Sequence, residues 1–193
     1  MRINKLALTN FRSYNSLELE LQPGVITFIG DNGSGKTNIA ESLIYLAFLS
    51  SHRVSNNVPL ISLGNQQAII RAEVQREDRT LQIDLEINAS KANRARINGN
   101  PTRNQREILG AIQIVYFSPE DLDLVRGEPG TRRDFLDRLL ITRTPRLAGV
   151  IADYERVVKQ RNALLKTRTS AAALAPWNEQ LINLGAELTA ERI

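Results

Sequence analysis

Residues 30–37 read Gly30-Asp31-Asn32-Gly33-Ser34-Gly35-Lys36-Thr37, a complete G-x-x-x-x-G-K-[ST] loop. Its flanks narrow the fold more than any other feature of the chain. Before it stands Gly24-Val25-Ile26-Thr27-Phe28-Ile29, short and rich in β-formers, which predicts a buried strand. After it, residues Asn38 to Leu46 carry apolar side chains at helical spacing. Strand, glycine loop and helix in that order is the context a phosphate-binding loop requires. Glycines let backbone N–H groups turn inward around a polyphosphate, and the positive end of the helix dipole faces it. Lys36 adds a full charge, and the Thr37 hydroxyl is a ligand for magnesium. The expectation is ATP or GTP binding. A glycine-rich turn that matches by chance is the plainer alternative, and the flanks argue against it.

The chain has 193 residues and is 42% hydrophobic, enough for a real core. No apolar run approaches the roughly eighteen residues that span a bilayer. The N-terminus, Met1-Arg2-Ile3-Asn4-Lys5, leads into an amphipathic strand and has no signal-sequence pattern. The expectation is a soluble protein of the cytoplasm. Zero cysteines exclude disulfides and thiolate metal sites, and one histidine, His52, excludes a multi-histidine centre. Magnesium held by oxygen atoms is the metal this composition invites.

The net charge of +4 is mild, but its distribution is uneven. Lys91, Arg94, Arg96, Arg103 and Arg106 fall in one run without an acidic residue, and Arg156, Lys159, Arg161, Lys166 and Arg168 in another. Each is a candidate contact for a phosphate backbone, or more plainly a solvated face.

The periodicity predicts α/β order. Ile3 to Thr9, with Lys5 out of phase, and Leu17, Leu19 and Leu21 read as strands of a half-buried sheet. Residues 50–64 have no clear period. Ala68 to Gln75 and Leu81 to Ile87 read as strands joined by the turn Arg76-Glu77-Asp78-Arg79, and Asn98-Gly99 is a strong hairpin signal. Ile112 to Phe117 reads as a further strand, ended by the helix start Ser118-Pro119-Glu120-Asp121. From there the pattern is helical. Leu122, Val125, Phe135, Leu136, Leu139 and Leu140 form a first stripe at helical spacing, interrupted by Gly127-Glu128-Pro129-Gly130, and a helix opened by Pro145 carries a second stripe from Leu147 to Leu165. Thr167 to Pro176 reads as a linker before a last helix from Trp177 to Ile193, with Leu181, Leu184 and Leu188 on one face. Trp177 and Tyr154, on apolar stripes, are expected in the core. In ATPases built on this loop a second strand ends in an acid that holds the magnesium. No run of four apolar residues followed by Asp-Asp or Asp-Glu occurs after Lys36.

The loop with Asn38 after it, together with Leu8-Thr9-Asn10-Phe11-Arg12-Ser13-Tyr14, resembles the ABC-type ATPase heads of the SMC and RecF group. Within that group the chain is similar to the RecF family. The resemblance rests on Ser51-His52-Arg53, on the stretches 117–127 and Arg132-Arg133-Asp134-Phe135-Leu136-Asp137, and on the stretch 154–166. It runs from end to end of the chain. It implies an ABC-ATPase-like head: a P-loop lobe of mixed sheet plus helices over residues 1–118, followed by an inserted helical lobe over 119–193. The signature motif, the acidic Walker B strand and the D-loop would lie beyond this sequence, so the chain is expected to be an N-terminal fragment. Hydrolysis by the fragment alone is not expected, although the intact family implies a slow DNA-dependent ATPase. One departure is local: where such heads carry a glutamine at the entry to the helical lobe, Phe117-Ser118-Pro119-Glu120 stands here.

The family implies a recombination mediator of gap repair. It would bind duplex DNA near single-strand gap junctions, form an ATP-dependent homodimer, work with RecR and RecO, and aid RecA loading in the nucleoid and not at a membrane. Carried over by residue, Gly30, Asp31, Asn32, Gly33, Ser34, Gly35, Lys36, Thr37 and Asn38 would hold ATP, with Mg2+ on Thr37. Arg12 would lie near the nucleotide, and no catalytic residue lies in this chain. DNA would meet Lys91, Arg94, Arg96, Arg103, Arg106, Lys159, Arg161 and Lys166. The alternatives are an SMC-like structural ATPase head and a small P-loop nucleotide kinase. The β-meander and long helices argue against the kinase, and residues 145–165 do not sustain heptads for an SMC arm.

Overall fold

The alternation in residues 3–21 and 68–87 becomes one antiparallel sheet in the computed structural model, which describes residues 1–54, 56–167 and 170–192. Arg168, counted in the second basic run, and Ile193, the expected helix end, lie outside the described residues. The strands are β1 (Arg2–Phe11), β2 (Tyr14–Glu20), β3 (Gln67–Arg76), β4 (Arg79–Asn88), β5 (Arg94–Ile97) and β6 (Asn100–Pro101), in spatial order β2-β1-β3-β4-β5-β6. Register explains the odd phase of Lys5. The pairing of β1 with β3 shifts between Ile3 and Lys5, and this bulge returns Leu6 and Leu8 to the buried face. Leu8 then opposes Ile70, Ile70 opposes Leu85, and Leu85 opposes Ala95, a buried row across four strands. At the Asn98-Gly99 turn both residues have positive φ, 51° and 78°, as a two-residue hairpin demands.

The helix after the glycine loop, α1 (Lys36–Phe48), adds Ile39, Tyr45, Leu46 and Ala47 to the cluster that covers this face. Leu60, Ile61, Ile108 and Ile112 close its margins. The opposite face follows the polar alternates, as a one-sided antiparallel sheet does.

Two expected strands are not formed. Residues 24–29 lie outside the sheet, with Val25 98% and Ile29 91% exposed. Their apolar, β-branched composition favours a strand, but a strand needs a neighbour, and none pairs with this run among the described residues. Residues 112–117 keep a single bridge, Leu109 to Ile112, and leave Val115 and Phe117 exposed.

Backbone contacts divide the chain into two units, Met1–Tyr116 and Phe117–Ile193. In the second, Ser118 N–H donates to Asp121 Oδ2 at 2.7 Å, a side-chain cap on the short 3₁₀ turn Pro119–Leu122. Helices α2 (Asp123–Arg126), α3 (Pro129–Arg143), α4 (Leu147–Lys166) and α5 (Ala171–Arg192) follow. The expected linker is shorter than its composition suggests. Ala171-Ala172-Ala173-Leu174 are strong helix formers, and α5 begins on them and carries Pro176 inside its second turn. Leu147, Val157 and Leu188 are buried where α4 and α5 pack, and Arg143 and Arg146 on one side reach Glu187 and Glu191 on the other. Of the first helical stripe only Leu140 is buried; Phe135, Leu136 and Leu139 stay half open. No helix among the described residues is long and apolar enough to cross a membrane.

Candidate nucleotide-binding site

Gly35 caps α1 with φ 96°, a conformation in which a side chain is strained. It faces a second constraint. A Cβ there would stand 2.6 Å from the Tyr14 hydroxyl oxygen and 2.9 Å from Ser13 Oγ. Ser34 N–H donates to the Asp31 carbonyl at 3.2 Å and closes the loop's turn. Lys36 folds back over that turn, its Nζ donating to the carbonyl oxygens of Gly30 and Asp31 at 2.7 Å each and to Ser34 Oγ at 3.4 Å. The ammonium therefore sits where the N-terminus of a 13-residue helix adds its own positive potential. Thr37 is exposed on the same first turn, and residues 30–34 are open to solvent.

Behind the loop, three consecutive residues of the β1–β2 turn grip α1 and the loop at three successive levels. Tyr14 hydroxyl donates to the Ser34 carbonyl at 3.4 Å, Asn38 Nδ2 donates to Ser13 Oγ at 2.9 Å, and Arg12 Nε donates to Glu41 Oε2 at 2.9 Å. Positions 34, 38 and 41 share one side of the loop–helix unit, so a tight turn can reach all three. Arg12 itself has φ 53°, which bends the chain toward the helix.

Glu41 is the centre of this grip and was not singled out from the sequence. It is 0% exposed and accepts a second Arg12 bond, from Nη2, another from the Ser51 hydroxyl, and a looser one from Arg53 Nη1 at 3.4 Å. Burial pushes its carboxyl pKa up, but hydrogen bonds from Arg12 and Ser51 and the charges of Arg12 and Arg53 outweigh burial and hold it below the ordinary value. The third Arg12 branch, Nη1, donates to the Pro59 carbonyl at 3.0 Å. The Arg12 guanidinium is thus committed to Glu41 and the Pro59 carbonyl. Arg53 also reaches Asn38 Oδ1 at 3.2 Å, which draws the Ser51-His52-Arg53 stretch to the first turn of α1. The sequence signal for Glu41 was faint: a carboxylate on the apolar side of an otherwise apolar helix.

The basic runs do not stay together. Arg94 and Arg96 point outward from β5 in register with Glu86 and Asp84 of β4, so acids stand beside them. Lys91, Arg103 and Arg106 gather instead around a cleft of about 460 Å³ beside Asn57 and Asn93. On α4, Arg156 pairs with Asp153 at 3.0 Å and Arg161 donates to Asn178 at 2.7 Å, while Lys159 and Lys166 line another groove together with Glu155. Tyr154 and Trp177 are partly buried.

The chain matches the AAA ATPase domain family over residues 1–168. Among curated proteins it is similar to the DNA replication and repair protein RecF of Kineococcus radiotolerans, 50% identical over all of this chain and 51% of that protein. RecF of Renibacterium salmoninarum is 52% identical over the same share of this chain and 52% of its own length. The chain thus spans about half the length of the curated relatives it matches. Among solved structures, the recombination mediator protein RecF with ATPrS in the RecFOR pathway superposes with a TM-score of 0.91 at 26% identity, covering 99% of this chain and 53% of that one. RecF with ATP gives a TM-score of 0.85 at 27% identity over the same shares. An SMC head bound to a ScpA winged-helix domain, at 23% identity and a TM-score of 0.56 over 84% of this chain and 58% of that one, shares the fold. The chain belongs to the AAA ATPase domain family and, along all of its length, is similar to RecF proteins.

Proposed function

We propose that this chain binds ATP with magnesium at residues 30–37 and serves DNA repair as part of a RecF-like recombination mediator. The observation that carries the proposal is the Lys36 ammonium, held over an exposed glycine loop at the N-terminus of α1. Phosphate oxygens are stronger partners for an ammonium than the carbonyls of Gly30 and Asp31, because the bond is then charge-assisted on both sides. ATP would draw Lys36 across to the β and γ groups, while backbone N–H groups from Gly30 to Asn38 surround the polyphosphate. Magnesium fits here through the exposed Thr37 hydroxyl, an oxygen donor on the same turn as Lys36. The cation would neutralise phosphate charge. Among the described residues no three acidic or histidine side chains cluster as a further metal centre. Arg12 serves the site through Glu41, by fixing the helix that presents Lys36 and Thr37.

The finer reading rests on the relatives. Duplex DNA near gap junctions, the partners RecR and RecO, assistance to RecA, an ATP-dependent homodimer and a place in the bacterial cytoplasm are proposed on that likeness. The exposed run 25–29 supports one structural part of it. We assign its strand partners, the acid that completes the magnesium site and the signature of the opposite subunit to the part of the relatives' length that this chain does not span. Hydrolysis belongs to the longer protein in this reading.

Thermal melting tests the binding claim. At about 100 times its Kd, Mg–ATP should raise Tm by roughly 5–10 °C. Thr37→Ala should keep the ATP shift and lose its magnesium-dependent part. An unchanged Tm for the parent chain, or an equal shift in Lys36→Ala, would overturn the proposal.

A further inference from the structure

The cleft between residues 91–93 and 103–106 is distant in sequence from the glycine loop, yet its floor is bonded to α1. Tyr45, 1% exposed on that helix, donates its hydroxyl to Asn57 Oδ1 at 2.7 Å and accepts from Asn93 Nδ2 at 3.3 Å. Asn93 Oδ1 in turn accepts from the Asn88 N–H at 3.0 Å, which ties the floor to the end of β4. Burial pushes the Tyr45 pKa up to about 12 despite the bonds to Asn93 and Asn57, so the hydroxyl keeps its proton. The rim is cationic. Lys91, Arg103 and Arg106 are all exposed, and among the described residues no carboxylate lines the cleft. The nearest acid in sequence, Glu107, does not line the cleft; its Oε1 is engaged in a capping box, accepting from the N–H groups of Arg103 and Asn104. The buried amide oxygen of Gln105 finds no hydrogen bond among the described residues, leaving an acceptor at the edge of a set of donors.

We infer that this cleft is a second phosphate site, taking a backbone phosphate and the adjoining sugar of nucleic acid, and that Tyr45 fastens it to the helix of the glycine loop. The inference deepens the DNA-binding reading and rests on it. Three cations on a cleft whose described lining residues include no carboxylate suit a phosphodiester. The side-chain amides around them suit the sugar and phosphate oxygens that make up most protein–DNA hydrogen bonds. This also divides the first basic run. Lys91, Arg103 and Arg106 are assigned to the ligand, whereas Arg94 and Arg96 face Glu86 and Asp84 in register and are assigned to the sheet surface.

The test is the salt dependence of affinity for a short fluorescent duplex, measured by anisotropy on the full chain. The variant Lys91→Gln/Arg103→Gln/Arg106→Gln should weaken binding and reduce the slope of log K against log salt by about 1, the share of the one phosphate the cleft holds. A charge-matched control, Arg2→Gln/Arg76→Gln/Arg79→Gln, removes exposed cations near the β3–β4 turn and should leave that slope in place. Tyr45→Phe should weaken duplex binding several-fold with the slope unchanged, because it loosens the floor without removing charge. ATP titration of every variant reports whether the fold and the loop survive. If the parent chain binds duplex and the cleft variant matches it in slope and affinity, the cleft assignment fails while the DNA reading stands. If the parent shows no salt-dependent binding, the DNA reading itself fails. Equal affinity of the cleft for a poly-glutamate peptide would replace nucleic acid with an acidic protein partner and overturn the inference.

Discussion

Glu41 joins the helix behind the phosphate loop to Arg12, Ser51 and Arg53 through one buried side chain. Its carboxylate is fully buried and meets Arg12, which is 16% exposed, and Arg53, which is 39% exposed. Removing the charge leaves Arg12 nearly buried without its partner, whereas Arg53 turns to water. Glu41→Gln should therefore cost about 2–3 kcal/mol in chemical denaturation, somewhat below the usual penalty for breaking a buried pair. The pH dependence has a definite sign. Because the folded carboxyl lies below its ordinary 4.5, its contribution is present above that value and is lost as pH falls through the lowered one. The gap between parent and Glu41→Gln should accordingly close on acidification below about 4.5. Gly35 is the other decisive residue. Gly35→Ala strains a φ of 96° and drives a methyl into Tyr14, so ATP binding should fall at least as far as in a lysine variant, and trimming Tyr14 to alanine should not restore it.

At the scale of elements, the contrast is between runs that found a partner and runs that did not. Residues 24–29 and 83–87 both carry β-branched and other large apolar side chains, the second in alternation with acids, yet only the second lies between neighbouring strands. Leu85→Ala empties a site in the buried row and should cost about 2–5 kcal/mol. Val25→Thr and Ile29→Thr touch exposed side chains and should change the stability of this chain by less than about 0.5 kcal/mol. A loss comparable to Leu85→Ala at either position would place the run inside a folded sheet and contradict the architecture described. Local chemistry was legible in part here: Asn98-Gly99 announced its turn, whereas Lys5 showed only a break in phase, which register explains as a bulge. Composition misled where it could not report pairing, at residues 24–29 and 112–117. It also misled at residues 171–176, where alanine's helix preference outweighed the reading of small residues as linker.

For the whole molecule, the sequence carried the loop, the helix behind it and the antiparallel meander, since each depends on neighbours close in the chain. It did not carry the grip of residues 12–14 on positions 34, 38 and 41, or the bond from Tyr45 to the floor of the basic cleft. Those join segments far apart in sequence by single polar contacts, which leave no period to read. The division of the basic run has the same origin, because only register shows that Arg94 and Arg96 face acids while Lys91, Arg103 and Arg106 do not. Together these contacts make α1 the shared support of the glycine loop at one end and the cleft floor at the other. The account stands on the loop being a working phosphate site, and calorimetric titration of Mg–ATP into the chain and into Lys36→Ala examines that most directly. One saturable site in the parent, weakened at least about tenfold (1.4 kcal/mol) in the variant, is the predicted result; equal, weak binding by both would contradict it.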